Sequence, residues 1–175
     1  MMTLESTRVK LRALEPEDLD FLMATENDES LWHLSETQVP FSKHILQDYL
    51  NNAHQDIYES KQLRLVICDQ KDEEMPLGFI DLFNFDPYHS RAGVGILIKS
   101  AKERGKGYGS EALDLVCTYA KRHLKLHQLF ANISAQNIPS IKLFTSCGFL
   151  RTGIKKDWQH TAGGYADEGF YQKIL

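Results

Sequence analysis

The sequence predicts a mixed α/β fold in a single domain spanning residues 1–175: a central twisted mixed sheet of about seven strands, with helices on both faces. Three observations carry that expectation. Strand-like and helix-like runs follow one another in the order β-α-α-β-β-β-α-β-α-β-β, and such alternation packs helices against a central sheet. The chain has 175 residues, 42% of them hydrophobic, which suits one core of ordinary size. No internal repeat, low-complexity segment or Pro/Gly/Ser linker divides it.

Each element follows from local pattern. Thr7 to Leu14 alternates, with Val9, Leu11 and Ala13 on one face and Arg8, Lys10 and Arg12 on the other, and reads as a first strand. Glu15-Pro16-Glu17-Asp18 opens a helix, because proline suits a first turn and acids favour the positive end of the helix dipole. Residues 30–41 read as irregular, interrupted by Pro40, and Ser42 can cap a second helix carrying Ile45, Leu46, Tyr49, Leu50 and Ala53. Leu63 to Cys68 is a strand, 69–76 a polar turn, Leu77 to Phe85 a strand, and Ala92 to Ile98 a further strand. Gly93 and Gly95 inside that last run predict a bulge or the close approach of another backbone or a ligand. An amphipathic helix follows Gly109, then a strand over 128–134 and a short helix over 139–147 that Gly148 ends. Two final strands, 149–154 and 168–174, join through a Gly163-Gly164 turn.

Composition excludes several classes. The net charge of −4 argues against a dedicated nucleic-acid binder, and no run reaches the ~18 apolar residues of a membrane span. The opening MMTLESTRVK lacks the apolar core of a secretory signal, and Cys68, Cys117 and Cys147 lie far apart, so the expected location is the cytoplasm with reduced thiols. No metal-ligand pattern is present, and no metal is expected. Charge is uneven: residues 1–60 hold 4 basic and 12 acidic residues, and the remainder holds 16 and 12. Solvated helices explain part of that acidity, and a wall facing a cationic partner would explain the rest.

The stretch richest in chemistry is Lys99 to Leu113. Arg104, Gly105, Lys106, Gly107, Tyr108, Gly109 and Ser110 lie between a strand and a helix N-terminus. Glycines there let backbone N–H groups converge, and the helix dipole adds positive potential, which suits a phosphate-bearing ligand. The Walker A pattern fails, since glycine follows Lys106 where Ser or Thr belongs. The dinucleotide fingerprint G-x-G-x-x-G ends on Ser110 instead of glycine. The motif that remains is R-G-K-G-Y-G.

That motif, with Gly78-Phe-Ile-Asp-Leu82, Gly95-Ile-Leu-Ile98 and Asn137-Ile-Pro-Ser-Ile-Lys-Leu-Phe-Thr-Ser-Cys-Gly-Phe149, resembles the GNAT superfamily of acyl-CoA-dependent N-acetyltransferases. The likeness covers nearly the whole chain and is closest to the branch of ribosomal-protein N-terminal and spermidine acetyltransferases. The resemblance implies a sheet splayed at the fourth strand and acetyl-CoA as co-substrate. Its pyrophosphate would lie on the amides of Arg104 to Ser110, and its pantetheine arm along Ile96, Leu97 and Ile98. Asn137 and Ser140 would touch the arm or a phosphate, and both also fit simple helix capping around Pro139. The acceptor implied is a small amine, a polyamine being favoured by the acidic first third, or else a protein N-terminus. A homo-oligomer is compatible with the sequence.

Direct attack on the thioester needs a neutral amine, so a proton must first be lost, commonly to a carboxylate. Gly93 lies in a stretch where many relatives carry a glutamate, and the resemblance points instead to Asp81, on the strand beside it. Glu36, with His33 and Trp32, lies in the irregular segment that walls the acceptor site in this fold. The tyrosine that commonly protonates the leaving thiolate is Phe144 here. Tyr108, Tyr165, Tyr171 or water are the alternatives. Phe144 and Gly93 also fit a non-catalytic module that binds acyl-CoA.

Overall fold

The computed structural model describes residues 4–175, apart from the side chains of residues 73 and 74. Among the described residues seven strands form one mixed sheet: β1 (Val9–Arg12), β2 (Leu63–Asp69), β3 (Asp72–Asp86), β4 (Arg91–Ile98), β5 (Gln128–Ser134), β6 (Leu150–Thr161) and β7 (Gly164–Ile174), in the order β1-β2-β3-β4-β5-β7-β6. All neighbours run antiparallel except β4 and β5. The helices are α1 (Leu19–Glu26), α2 (Trp32–Ser35), α3 (Lys43–Asn51), α4 (Ile57–Ser60), α5 (Tyr108–Arg122) and α6 (Ile138–Ser146), with short 3₁₀ turns before α1 and α2.

Alternation along the strands divides the core in two. On one face Ile80, Leu82, Ala92, Val94, Leu129, Ala131 and Ile133 pack with Leu113, Val116 and Ala120 of α5 and Phe144 of α6. On the other, Val66, Cys68 and Phe79 pack with Leu22 of α1 and Leu46 and Leu50 of α3. That second cluster reaches only β2 and β3. Among the described residues no helix adds core side chains over β5, β7 and β6 on this face, and the sheet there stays open.

Several boundaries differ from the sequence reading. The polar stretch 69–76 is mostly strand, because β2 and β3 form a hairpin that turns at residues 70 and 71. Register shifts at Ile67/Cys68 and Cys68/Asp69 let Pro76 sit opposite Cys68, which is how a ladder accommodates a residue without an N–H. The last two strands are longer than expected and meet through a turn at residues 162 and 163. A register shift between Lys155 and Gln159 absorbs the polar middle of β6. The segment 30–41 contains α2, which ends at Glu36 in the left-handed region (φ 57°). The turn of α4 had no apolar period to announce it; Asp56 caps it by accepting from the N–H groups of Tyr58 and Glu59.

The start of α1 shows how the acidic first third is used. Asp18 is buried and accepts Arg12 Nη1 at 2.7 Å, Arg12 Nη2 at 2.9 Å and the Glu15 N–H at 2.8 Å. Burial alone would raise its pKa; the Arg12 hydrogen bonds and the Glu15 N–H outweigh burial and hold it below its ordinary value of 3.8. Its stabilising contribution is therefore complete above that pH and lost as pH falls through the lower, folded-state value. Asp18→Asn is expected to cost about 2–4 kcal/mol, because it removes the buried negative charge that Arg12 pairs with. Urea unfolding between pH 7 and pH 2 should show a steeper acid decline for the wild type than for the variant, and parallel profiles would contradict this account.

Candidate active site

The open face and the end of the parallel pairing meet at one place. β4 and β5 pair only through Arg91↔Gln128, Ala92↔Leu129 and Gly93↔Phe130. Beyond Gly93 the strands part, although β4 stays in register with β3 through to Ile98. Among the described residues no strand pairs the β5-facing edge of Val94 to Ile98. A sheet edge inside a domain leaves backbone donors and acceptors free for a ligand.

At the far end of that edge the chain enters the glycine segment and α5. Gly107 has φ +92°, a conformation glycine adopts without penalty. A Cβ there would also meet the Arg8 guanidinium at 2.5 Å. Arg8, from the residue before β1, donates through Nη1 to the Lys106 carbonyl at 2.7 Å and through Nε to Glu111 at 2.6 Å. Tyr108 donates its hydroxyl to Asp69 at 2.6 Å. These contacts fasten the loop to the β1–β2 side and leave the first-turn N–H groups of α5 without intrahelical partners. The Arg104 side chain donates to the carbonyls of Ile98 and Lys99 at 2.8 and 3.0 Å, so its guanidinium ties the loop to the end of β4. Lys106 pairs with Glu103 at 2.9 Å.

α6 lies on the same side of the sheet. Asn137 caps it, its Oδ1 accepting from the Ser140 N–H at 3.2 Å; the capping role expected of this pair is present, and the Asn137 NH₂ makes no bond among the described residues. Gly109 fits between Leu143 of α6 and Ile96 of β4, which brings together the three elements that the glycine motif, the β4 motif and the α6 motif named separately.

The reading of Gly93 is corrected by the geometry. β4 is unbulged through Gly93 and Gly95; the irregularity lies in β3, between Phe83 and Asp86. Gly93 is required because the Phe83 ring occupies the space its Cβ would take, whereas at Gly95 a Cβ would make ordinary contact. Phe83 thus reaches across β4 towards Phe130, edge to face at 6.0 Å, and Phe130 stacks on Phe170 at 5.4 Å. This aromatic row crosses the sheet at the point where β4 and β5 separate. Sequence periodicity could not reveal it, since its members come from β3, β5 and β7.

The carboxylate expectations are revised as well. Asp81 is not a free carboxylate: its two oxygens accept from Arg64 Nε at 2.7 Å and Nη2 at 3.0 Å. Arg64 also donates to Glu26 at 2.5 Å and lies over the Phe79 ring at 4.9 Å. Glu36 is exposed, and no hydrogen bond or ion pair joins it to this cluster. Trp32 donates its indole N–H to the Glu26 carbonyl at 2.8 Å. Phe144 is buried and meets Phe149 edge to face at 5.0 Å. The hydrogen bond Tyr108 donates to Asp69 pushes its pKa up, the wrong direction for an acid. Burial pushes the Cys147 thiol up, so it is no nucleophile.

One carboxylate was missed. Glu168 of β7 is buried and accepts from Lys155 Nζ and Gln159 Nε2, both at 2.8 Å. It pairs in register with Ser134 of β5, in the part of β5 that has left β4. Alternating neighbours in the final strand gave no signal that it would be covered.

Comparison with known proteins places this arrangement. The model of the acetyltransferase (GNAT) domain matches residues 8–150. N-acetyltransferase p20 of Bacillus licheniformis is 27% identical over 168 residues, covering 95% of this chain and 93% of that one. Spermidine N(1)-acetyltransferase of Escherichia coli K12 is 28% identical over 149 residues, covering 83% and 74%. The solved structure of spermidine N-acetyltransferase from Vibrio cholerae, in complex with CoA and spermine, superposes with a TM-score of 0.85 at 22% identity, covering 97% and 96%. The chain is an acyltransferase of the GNAT N-acetyltransferase family.

Proposed function

We propose that the chain transfers an acetyl group from acetyl-CoA to a small primary amine, by direct attack of the neutral amine on the thioester. The observation that carries this is the end of β4–β5 pairing at Gly93↔Phe130, on the same strand that leads into the glycine-led N-terminus of α5. A pantetheine arm fits the free edge at Ile96, Leu97 and Ile98, and a pyrophosphate suits the amides of Arg104, Gly105, Lys106, Gly107, Tyr108, Gly109 and Ser110. In this reading the Asn137 NH₂ and Ser140 face the arm from α6 while Asn137 Oδ1 keeps its cap. The relative named as a spermidine acetyltransferase makes a small amine the first acceptor class to test, with a peptide N-terminus as the second.

The residues divide the chemistry as follows. Backbone N–H groups on the free edge polarise the thioester carbonyl. The amine comes from the open face, where water takes the proton lost as it becomes neutral. Its nitrogen bonds to the acetyl carbon, the C–S bond breaks, and the proton that the nitrogen then sheds passes through water to the departing thiolate. A thiol pKa near 8.5 makes that leaving group tolerable without a tyrosine at 144, and a missing general acid slows turnover by about 10²–10⁴-fold without preventing it. Asp81 acts through Arg64, positioning the sheet against α1. Glu36 stays a solvated acid in the segment between α1 and α3.

Two outcomes are expected. Purified protein with acetyl-CoA should release free thiol in an amine-dependent way, and release no faster than hydrolysis with every small amine and N-terminal peptide would contradict the proposal. Gly107→Ala should weaken coenzyme A binding at least tenfold by calorimetry, because it meets both a forbidden φ and the Arg8 guanidinium. Gly105→Ala, strained by its φ of +75° alone with nothing within 4 Å, should be milder. Equal effects would contradict the role given to Arg8.

A further inference from the structure

A cavity of about 450 Å³ opens on the helix-free face, with Phe130 and Phe170 in its wall beside Asn84, Gln128, Gln172, Asp86 and Arg91. That is a size suited to a small ligand. It begins where β4 and β5 part, so it lies against the place at which the proposed acetyl donor ends.

Its charges are already satisfied within the chain. Asp86 pairs with Arg91 at 3.2 Å, and the backbone N–H of His89 and that guanidinium hold its carboxyl low. The Gln172 amide donates to Gln128 Oε1 at 2.7 Å and accepts from Thr152 at 2.6 Å. The carboxylates two residues before the aromatic row on its own strands are also taken, Asp81 by Arg64 and Glu168 by Lys155. Within the acidic first third Asp18 serves Arg12, Glu26 serves Arg64, and Asp28 and Asp56 cap turns, and none of its carboxylates lines this cavity.

We propose that the acceptor is a monoamine borne on a flat apolar body, such as an arylalkylamine, which seats against Phe130 and Phe170 and presents its nitrogen at the parting of β4 and β5. This rests on the acetyl-transfer reading and names its substrate class. A ring stacked on this row gains aromatic contact beyond the area it buries. A second ammonium, as in a polyamine, gains little from an exposed ring face. That is less than its removal from water costs when no carboxylate of the cavity wall is free to pair with it. The cavity selects against a polycation by having no unmatched negative charge, and it selects for a ring by its aromatic wall.

The test is a steady-state panel on the wild-type chain at saturating acetyl-CoA, comparing 2-phenylethylamine and tryptamine with n-butylamine and spermidine by thiol release. The arylalkylamines are expected to exceed both others in kcat/KM by at least tenfold. Phe170→Leu, which keeps apolar bulk and removes the ring, should raise the arylalkylamine KM at least fivefold and leave that for acetyl-CoA unchanged. Spermidine turned over as well as or better than the arylalkylamines would overturn the inference while leaving acetyl transfer intact. An unchanged arylalkylamine KM in Phe170→Leu would overturn the placement. Absence of turnover with every amine, although calorimetry shows coenzyme A bound, would overturn the transfer reading and this inference together.

Discussion

Everything at the site depends on where the parallel pairing of β4 and β5 stops. Three residue pairs hold the two strands together, and the last is Gly93↔Phe130. Had the pairing continued, the β4 edge would be saturated and the sheet would close without a cleft. β3 keeps β4 straight to Ile98 on its other side, so the free edge is rigid rather than frayed. The Phe83 ring over Gly93 and its contact with Phe130 then set an aromatic boundary at the point of divergence. One local event in strand pairing therefore leaves both an unpaired strand edge and an aromatic row beside it.

The loop that follows β4 is held by contacts that long-range packing alone could create. Arg8 bridges the Lys106 carbonyl and Glu111, and Tyr108 reaches Asp69. The first strand thus braces the N-terminus of α5 although about a hundred residues separate them. Arg104 does the same from within, closing on the last carbonyls of β4. Side chains that read as a positive patch in one dimension are spent on fixing the backbone. The binding capacity that remains resides in the amides, whose direction those side chains determine.

Periodicity made the strands over 63–68 and 128–134 and the helices α5 and α6 legible nearly to the residue, and the glycine segment identified its own position at a helix start. What it could not show was pairing. Asp81 looked available because Arg64 is seventeen residues away and on another strand. Gly93 looked like a bulge because the ring that demands it belongs to β3. The turn over 69–76 looked like a loop because a bulge, invisible in composition, admits Pro76 into the ladder. The acidic first third looked like a single field, and in the fold several of its members are spent separately, Asp18 and Glu26 in ion pairs and Asp28 and Asp56 as caps. Motifs carried in one segment were readable; constellations assembled across strands were not.

The claim on which the rest stands is that the free edge of β4 and the amides leading into α5 form one coenzyme site. Amide hydrogen exchange with and without coenzyme A, read by mass spectrometry of overlapping peptides, addresses it without depending on any acceptor. The account predicts new protection in peptides covering 94–98 and 105–110 together, with little change in β1–β2. Protection confined to the loop, or appearing in other parts of the sheet while 94–98 exchanges as before, would contradict it.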